Sequence, residues 1–205
     1  AVVDMFEPGS TVKPFVVAYA LEKQIIDIDD TFDCEEGEYE VGGHTIRDSH
    51  EYEDLDLTSI IQKSSNICTA KIAEKVGKRG LFENYRELGF ASKTGIPFPG
   101  EASGIMRSWK DWTDVGLATI SFGQGIAITA MQLAAAYRVF AADGYYQQPQ
   151  LILSKEAPSG AVELVQPGRE RRVYSSKVVS QIKPMLEKVV GPGGTGWRAA
   201  IDGYA

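Results

Sequence analysis

The sequence predicts a mostly helical α/β (α+β) domain with a small β component. Its 205 residues are 43% hydrophobic and 24% charged, which is the balance of one soluble globular domain or of a large part of one, and which excludes disordered and collagen-like chains. Apolar residues recur at helical spacing in several segments, and glycines follow many of them. After residue 150 the period changes to the alternation typical of a β-hairpin.

The first element is a helix that begins near Ser10. Turn residues, Pro8 and Gly9, precede a serine suited to capping, and apolar residues then follow at helical spacing. Because Pro14 cannot donate a hydrogen bond to the Ser10 carbonyl, the first turn is predicted to be irregular or tightly wound.

An acidic segment, residues 27–56, follows this helix. It holds 13 acidic residues and a single base, Arg47, and the pattern favours a solvated acidic loop. Within it, residues 39–43 are predicted to form a short strand or a hairpin edge. Asp56 or Thr58 should then cap a helix that continues through Ile61.

The remaining elements follow from glycine positions and apolar spacing. We predict helices over residues 69–76, 81–88, 109–118, 129–143 and 176–190, a loop over 89–104, a hairpin of strands 150–154 and 161–165, and a glycine-rich turn over 191–196.

Charge and targeting signals limit the function classes. With 21 basic and 28 acidic residues the net charge is -7, so we expect no nucleic-acid partner. No charged-then-apolar leader begins the chain, so we expect any export signal or membrane anchor to lie outside it. Residues 115–137 are uncharged, but the Gly123-Gln124-Gly125 run would break a membrane helix and indicates two buried elements joined by a turn.

Cys34 and Cys68 are too few for a disulfide scaffold and are not spaced as a metal site. They leave open whether the protein works in a reducing or an oxidising compartment.

A serine three residues before a lysine at a helix start can form a nucleophile and its base. Both side chains share one face, the amine can accept the hydroxyl proton, and burial lowers the lysine pKa toward the neutral form. Ser10 and Lys13 have this arrangement. Ser180 and Lys183 repeat the spacing, but Ser180 lies inside a helical pattern, so the context favours the first pair.

Two further motifs are candidates for the same site. In Ser64-Ser65-Asn66, Ser64 could relay a proton and Asn66 could hold a substrate backbone, although a loop cap is the plainer interpretation. The Lys93-Thr94-Gly95 run could be a cationic strand edge that anchors a carboxylate. We reject that role, because Pro97 and Pro99 exclude a strand that must offer its edge to substrate.

Other catalytic and ligand-binding motifs have weaker support in the sequence. No Gly-x-Ser-x-Gly elbow is present, because Thr119 precedes Ser121 where glycine is required. His44 and His50 lie beside acidic residues, but two histidines in an acidic loop are typical of a solvated surface rather than a metal site. The 191–196 turn lacks the ending of a phosphate-binding loop.

Four linked segments, in order and spacing, resemble the transpeptidase domain of class B penicillin-binding proteins. They are Glu7-Pro8-Gly9-Ser10-Thr11-Val12-Lys13-Pro14-Phe15, Gln62-Lys63-Ser64-Ser65-Asn66, the stretch from Gly89-Phe90 through Thr94-Gly95-Ile96 to Pro99-Gly100-Glu101-Ala102-Ser103-Gly104, and Ser121-Phe122-Gly123-Gln124-Gly125-Ile126. Gly194-Thr195-Gly196 with Ala199, Gly203 and Tyr204 further resembles the run that leads into the family's Lys-Thr-Gly strand. The 121–126 segment looks more like the division-type enzymes.

The resemblance implies a peptidoglycan D,D-transpeptidase. Carried over by position, Ser10 attacks the penultimate D-Ala carbonyl of a stem peptide, Lys13 is the general base, and Ser64 with Asn66 assists proton transfer and alignment. An amine from a neighbouring stem peptide resolves the acyl-enzyme, and β-lactams acylate the same serine. The resemblance implies no metal or organic cofactor, and it implies cell-division glycosyltransferase and other divisome partners at the periplasmic face of the cytoplasmic membrane, with an N-terminal anchor outside this chain.

The resemblance also implies that residues 1–205 are an incomplete transpeptidase-like domain, mainly its helical part. The Lys-Thr-Gly strand and the flanking sheet strands would lie outside them. Two alternatives stay open: a D,D-carboxypeptidase or β-lactamase-type hydrolase, in which water replaces the acceptor amine, and a non-catalytic penicillin-sensing module.

Overall fold

A computed structural model describes residues 1–202 of the chain, so Gly203 and Tyr204 of the resemblance lie outside the described residues. The helices are α1 (Lys13–Glu22), α2 (Leu57–Lys63), α3 (Asn66–Glu87), α4 (Asp114–Ser121), α5 (Ala130–Ala141) and α6 (Ser176–Val190). The strands are β1 (Met5–Phe6), β2 (Thr31–Asp33), β3 (Glu38–Val41), β4 (His44–Arg47), β5 (Asp54–Asp56), β6 (Ile128–Thr129), β7 (Tyr145–Gln147), β8 (Ser154–Glu156), β9 (Val162–Leu164) and β10 (Glu170–Arg172). Within residues 1–202 the strands form five antiparallel pairs: β1 with β6, β2 with β5, β3 with β4, β7 with β10, and β8 with β9.

Helix α1 is the centre of the core. It is apolar around most of its circumference, as expected of a helix buried on all sides, and it packs against α2, α3 and α6. The Phe15 ring stacks on Phe140 of α5 with 5.1 Å between centroids and meets Phe90 edge-on. As the missing donor at Pro14 predicts, the turn before α1 is a 3₁₀ turn, Gly9–Val12.

A buried polar cluster ties α1 to α3. Asn84 lies in the core, where its amide nitrogen donates to the Phe15 carbonyl at 2.9 Å. The Tyr174 hydroxyl donates to the Asn84 side-chain oxygen at 2.7 Å. These bonds satisfy groups that would otherwise be costly to bury, so Asn84 has a structural explanation.

The acidic segment folds over the start of α3. Strand β2 pairs with β5, and Asp56 caps α2, as predicted, by accepting from the Ser59 amide at 2.7 Å. The strand predicted over 39–43 is β3, which ends at Val41 and pairs with β4, so Gly42 and Gly43 form the turn of the hairpin. Cys34, which follows β2, forms a disulfide with Cys68 in the first turn of α3. The covalent link fastens the acidic segment to the helix that begins at Asn66.

The 3₁₀ turn before α1 lies against the turn that follows α4. The Gly9 amide donates to the Gly123 carbonyl at 3.1 Å, and the Gly125 amide donates to the Glu7 carboxylate at 2.8 Å. A Cβ at Gly123 would lie 2.1 Å from the Gly9 carbonyl oxygen, so only glycine allows this approach.

The structure confirms α2, α5 and α6 and the 89–104 loop, and it corrects three boundaries. The helix predicted over 69–76 begins already at Asn66 and continues past a break at Gly77 to Glu87, because both halves pack on the same core. The helix predicted over 109–118 is a short 3₁₀ turn followed by α4, since Thr113 caps a new helix. The first hairpin strand is 154–156 rather than 150–154.

Candidate active site

Ser10 is exposed on the 3₁₀ turn that leads into α1. The turn is held by the Thr11 hydroxyl, which donates to the Pro8 carbonyl at 2.8 Å, and by the Tyr137 hydroxyl, which donates to the Thr11 carbonyl at 2.8 Å. Burial raises the pKa of Tyr137 to about 12, so its hydroxyl remains a donor at neutral pH. Tyr137 comes from α5, and no local pattern in the sequence pointed to it.

Lys13 is only 1% exposed although it carries an amine. Its Nζ donates to the Ser64 hydroxyl at 2.9 Å, to the Asn66 side-chain oxygen at 2.8 Å and to the Ser64 carbonyl. Burial lowers the pKa of Lys13 to about 7, and the negative charge of Asp48 opposes that effect. At neutral pH a large fraction of this amine is therefore unprotonated and able to accept a proton.

Ser64 lies at the junction of α2 and α3 in a left-handed conformation, with φ of 59°. A serine adopts this region at some conformational cost, and such strain occurs mainly where surrounding structure enforces it. The conformation turns the Ser64 carbonyl and hydroxyl toward Lys13. Ser65 then caps α3 by accepting from the Cys68 amide at 3.0 Å.

Asp48 fixes the start of α3 from a loop 18 residues earlier in the chain. Its carboxylate accepts hydrogen bonds from the Ser65 hydroxyl at 2.6 Å, from the Ile67 amide at 3.2 Å and from the Asn66 amide. The Asn66 side-chain nitrogen donates to the Arg47 carbonyl at 2.8 Å. No local pattern in the sequence pointed to this role of Asp48, because a capping side chain normally comes from a residue close in sequence.

A cleft of about 380 Å³ joins these groups. Ser10, Lys13 and Ser64 line it, and Asn66 joins the same site through its bond to Lys13. Most of the remaining lining is apolar and comes from α2, α5 and α6: Ile61, Tyr137, Leu186, Val189 and Val190. The structure thus brings together all four residues that the sequence singled out for catalysis.

This arrangement has the parts required for serine acyl transfer. It contains an exposed hydroxyl, a buried amine with a lowered pKa, a second hydroxyl that can pass on a proton, and a carboxamide. No group of three or more His, Cys, Asp or Glu side chains that could hold a metal is found among residues 1–202.

The Lys93-Thr94-Gly95 run and the Ser180–Lys183 pair do not line the cleft. Thr94 and Gly95 belong to the 89–104 loop, where their amides donate to the Glu101 carboxylate, and Lys93 lies beside them outside any strand. The Ser180 hydroxyl donates to the Lys177 carbonyl of its own helix at 2.7 Å. The His50 ring lies 3.0 Å from the Ser49 hydroxyl in the acidic segment.

Comparison with known proteins places this chain in a family. The model of the penicillin binding protein transpeptidase domain matches residues 1–205. The chain belongs to this family. Its transpeptidase fold is shared by the apo TP domain of penicillin-binding protein 3 from Burkholderia pseudomallei, with a TM-score of 0.89 and 34% identity over 99% of this chain and 59% of that one.

Curated relatives of this transpeptidase chain carry related names. It is 35% identical over 204 residues to "Probable peptidoglycan D,D-transpeptidase PenA" of Neisseria gonorrhoeae, covering 100% of this chain and 33% of the relative. It is 36% identical over 203 residues to "Peptidoglycan D,D-transpeptidase FtsI" of Escherichia coli K12, covering 99% of this chain and 32% of the relative. The transpeptidase chain therefore spans about a third of the length of these relatives.

The structure of penicillin-binding protein 3 from Mycobacterium tuberculosis complexed with aztreonam matches with a TM-score of 0.90 and 28% identity, over 99% of this chain and 47% of that one. Among the described helices of the transpeptidase chain, none combines the length and apolar character needed to cross a membrane.

Proposed function

We propose that this chain carries the nucleophile and the general base of a peptidoglycan D,D-transpeptidase that β-lactams inhibit covalently. The observation that carries the proposal is the buried Lys13 amine, with its pKa lowered to about 7, in the cleft that Ser10 also lines. The hydrogen bonds from Lys13 to Ser64 and Asn66 support their assignment to the same reaction.

In the proposed acylation step, Ser10 Oγ attacks the penultimate D-Ala carbonyl of a stem peptide and gives its proton to Lys13 Nζ. The new Oγ–C bond replaces the bond to the terminal D-Ala. The leaving amine receives a proton from Lys13 through the Ser64 hydroxyl, and Asn66 aligns the peptide backbone. Lys13 is neutral again at the end of the step and can serve the transfer to the acceptor amine.

We propose further that residues 1–205 are part of a larger transpeptidase domain whose Lys-Thr-Gly strand and flanking sheet strands lie outside them. The 59% coverage of the Burkholderia domain supports this, as does the loop conformation of Lys93-Thr94-Gly95. The relatives named FtsI support a division role at the periplasmic face of the cytoplasmic membrane, with divisome proteins, a glycosyltransferase among them, as partners.

The test is covalent labelling of the full-length protein with a fluorescent penicillin. Ser10→Ala should abolish labelling, because only the nucleophilic oxygen is removed. Ser180→Ala is the matched control, since it removes the serine of the second Ser-x-x-Lys motif, and it should be labelled like the parent. Persistent labelling of Ser10→Ala would refute the assignment. Release of D-Ala without new cross-links would point to the hydrolase alternative, and labelling without turnover would point to a sensor.

A further inference from the structure

A disulfide lies directly behind the site without lining the cleft. Cys34 and Cys68 are both fully buried, and their Cα atoms are 5.2 Å apart. Cys68 lies in the first turn of α3, the helix that begins at Asn66. The bond closes a loop over residues 34–68, and this loop contains both Ser64 and Asn66. The covalent link therefore encloses the two side chains that accept hydrogen bonds from the buried lysine.

Ser65 connects the disulfide with Asp48. Its hydroxyl lies 3.5 Å from the Cys34 sulfur, accepts from the Cys68 amide at 3.0 Å and donates to the Asp48 carboxylate at 2.6 Å. The same carboxylate accepts from the Asn66 amide. A movement of β2 away from α3 would therefore act directly on the residue that precedes Asn66.

The charge of the acidic segment opposes its attachment to α3. Residues 27–56 hold 13 acidic side chains and one basic one, so the segment repels itself. Lys71 of α3 donates to the Asp33 carbonyl and to the Glu35 carboxylate, both at 2.6 Å. The Lys71–Glu35 pair is partly exposed, and such pairs add little stability. Without the covalent bond, this segment would open from α3 more often.

Apolar contacts should keep the reduced chain folded. Val41 and Ile46 of the β3–β4 hairpin are buried in a cluster with Ile67 of α3, and Phe32 of β2 is buried in the main core. Loss of the disulfide should therefore loosen the segment that carries Asp48 rather than unfold the chain.

We infer that the Cys34–Cys68 disulfide is a redox-sensitive positioning device: the oxidised chain holds the Ser64–Asn66 motif against Lys13, and reduction slows acylation. Both cysteines lie outside the cleft, so they position other groups and take no part in the chemistry. The inference rests on the proposed function, because acylation is the reaction that this positioning serves.

The reductant is a dithiol, and it reaches the buried sulfurs only when the segment opens. One thiolate of the dithiol attacks a sulfur of the disulfide, the S–S bond breaks, and one cysteine leaves as a thiolate that takes up a proton. The second thiol of the dithiol then displaces the other cysteine. The two cysteines gain two electrons and two protons, and the dithiol becomes a disulfide. The reverse exchange, with a disulfide oxidant, must precede full activity.

The experiment measures benzylpenicillin acylation of the full-length protein in dithiothreitol redox buffers of stepped potential. Thiol alkylation and mass spectrometry give the oxidised fraction of Cys34 and Cys68, and circular dichroism gives the folded fraction. The acylation rate per folded molecule should fall about tenfold on reduction, because small displacements of catalytic groups have large effects on rate. It should follow the oxidised fraction with the slope of a two-electron couple, and reoxidation should restore it. A link that only stabilises the fold would leave this rate constant.

The double variant Cys34→Ala/Cys68→Ala is the matched control. It should be acylated at the rate of the reduced parent, and dithiothreitol should not change that rate. If it failed to fold, Cys34→Val/Cys68→Ala, which refills more of the volume of the sulfurs, would take its place. Equal rates per folded molecule in the oxidised and reduced parent would overturn the device, as would an equal response of the double variant to dithiothreitol. Failure of the oxidised parent to be acylated would instead overturn the proposed function.

Discussion

At the scale of single residues, the protonation state of Lys13 governs the proposed chemistry. Its three hydrogen bonds favour the charged amine, and its burial favours the neutral one; burial prevails and lowers the pKa to about 7. Because the neutral form is the base, the benzylpenicillin acylation rate should rise with pH and reach half its maximum near pH 7. Stopped-flow acylation of the full-length protein between pH 5.5 and 8.5 measures this. A rate that is flat or falls across this range would contradict the role of Lys13.

Asp48 offers a second test at this scale. Its negative charge raises the pKa of Lys13, so Asp48→Asn should move the midpoint of the acylation profile to lower pH. The variant should also be less stable by about 1–2 kcal/mol, because an amide nitrogen cannot accept the Ser65 hydrogen bond. Asp114→Asn, which removes an exposed carboxylate from the start of α4, should leave the midpoint in place. A midpoint that stays at the parent value in Asp48→Asn would exclude the electrostatic effect.

At the scale of elements, the contact between two turns positions Ser10, the proposed nucleophile. Gly123→Ala would place a methyl group 2.1 Å from the Gly9 carbonyl oxygen, so the turn that carries Ser10 must move. We expect acylation to slow by at least tenfold, because small displacements of a nucleophile have large effects on rate. Penicillin acylation kinetics give the measurement, with circular dichroism to verify folding.

Gly125→Ala is the matched control for this contact. Gly123 and Gly125 both have φ near 80°, a value at which an alanine is strained by about 1–2 kcal/mol at either position. The Cβ at Gly125 would meet only the Ile120 side chain at 3.5 Å. Equal loss of acylation in both variants would assign the effect to backbone strain and refute a special role for the contact between the turns.

Helices and turns were predictable where residues close to them in sequence define their ends. Asp56 and Thr129 are caps, the missing N–H of Pro14 explains the 3₁₀ turn, and glycines follow α5 and α6. The short strands β1, β6, β7 and β10 could not be predicted. Each is two or three residues long, and it is defined by a partner that is distant in sequence, so no periodicity can develop.

At the scale of the whole molecule, the Asn84 cluster joins α1, α3 and the segment before α6. Asn84→Leu should lower the free energy of unfolding by about 2–4 kcal/mol. The Phe15 carbonyl would lose the hydrogen bond from Asn84, and the Tyr174 hydroxyl would lose its 2.7 Å hydrogen bond to the Asn84 side chain, both in the buried interior. Urea denaturation of the full-length protein measures the loss. Asn66→Leu, at the other asparagine of the chain, should lose less stability but should impair acylation. If the two variants were equally stable, the buried network would not be a major contributor.

The sequence alone predicted the family, the four candidate site residues and the approximate positions of the main helices. Each of these depends on short-range features: Ser10 and Lys13 are three residues apart, Ser64 and Asn66 are two apart, and caps and glycines act on their own helix. Only the tertiary structure decided that Asp48 holds the start of α3, that Tyr137 holds the turn that carries Ser10, and that Cys34 pairs with Cys68. The physical reason is that these contacts join residues 17 to 126 positions apart, and burial, which lowers the pKa of Lys13, exists only once the chain has closed around it.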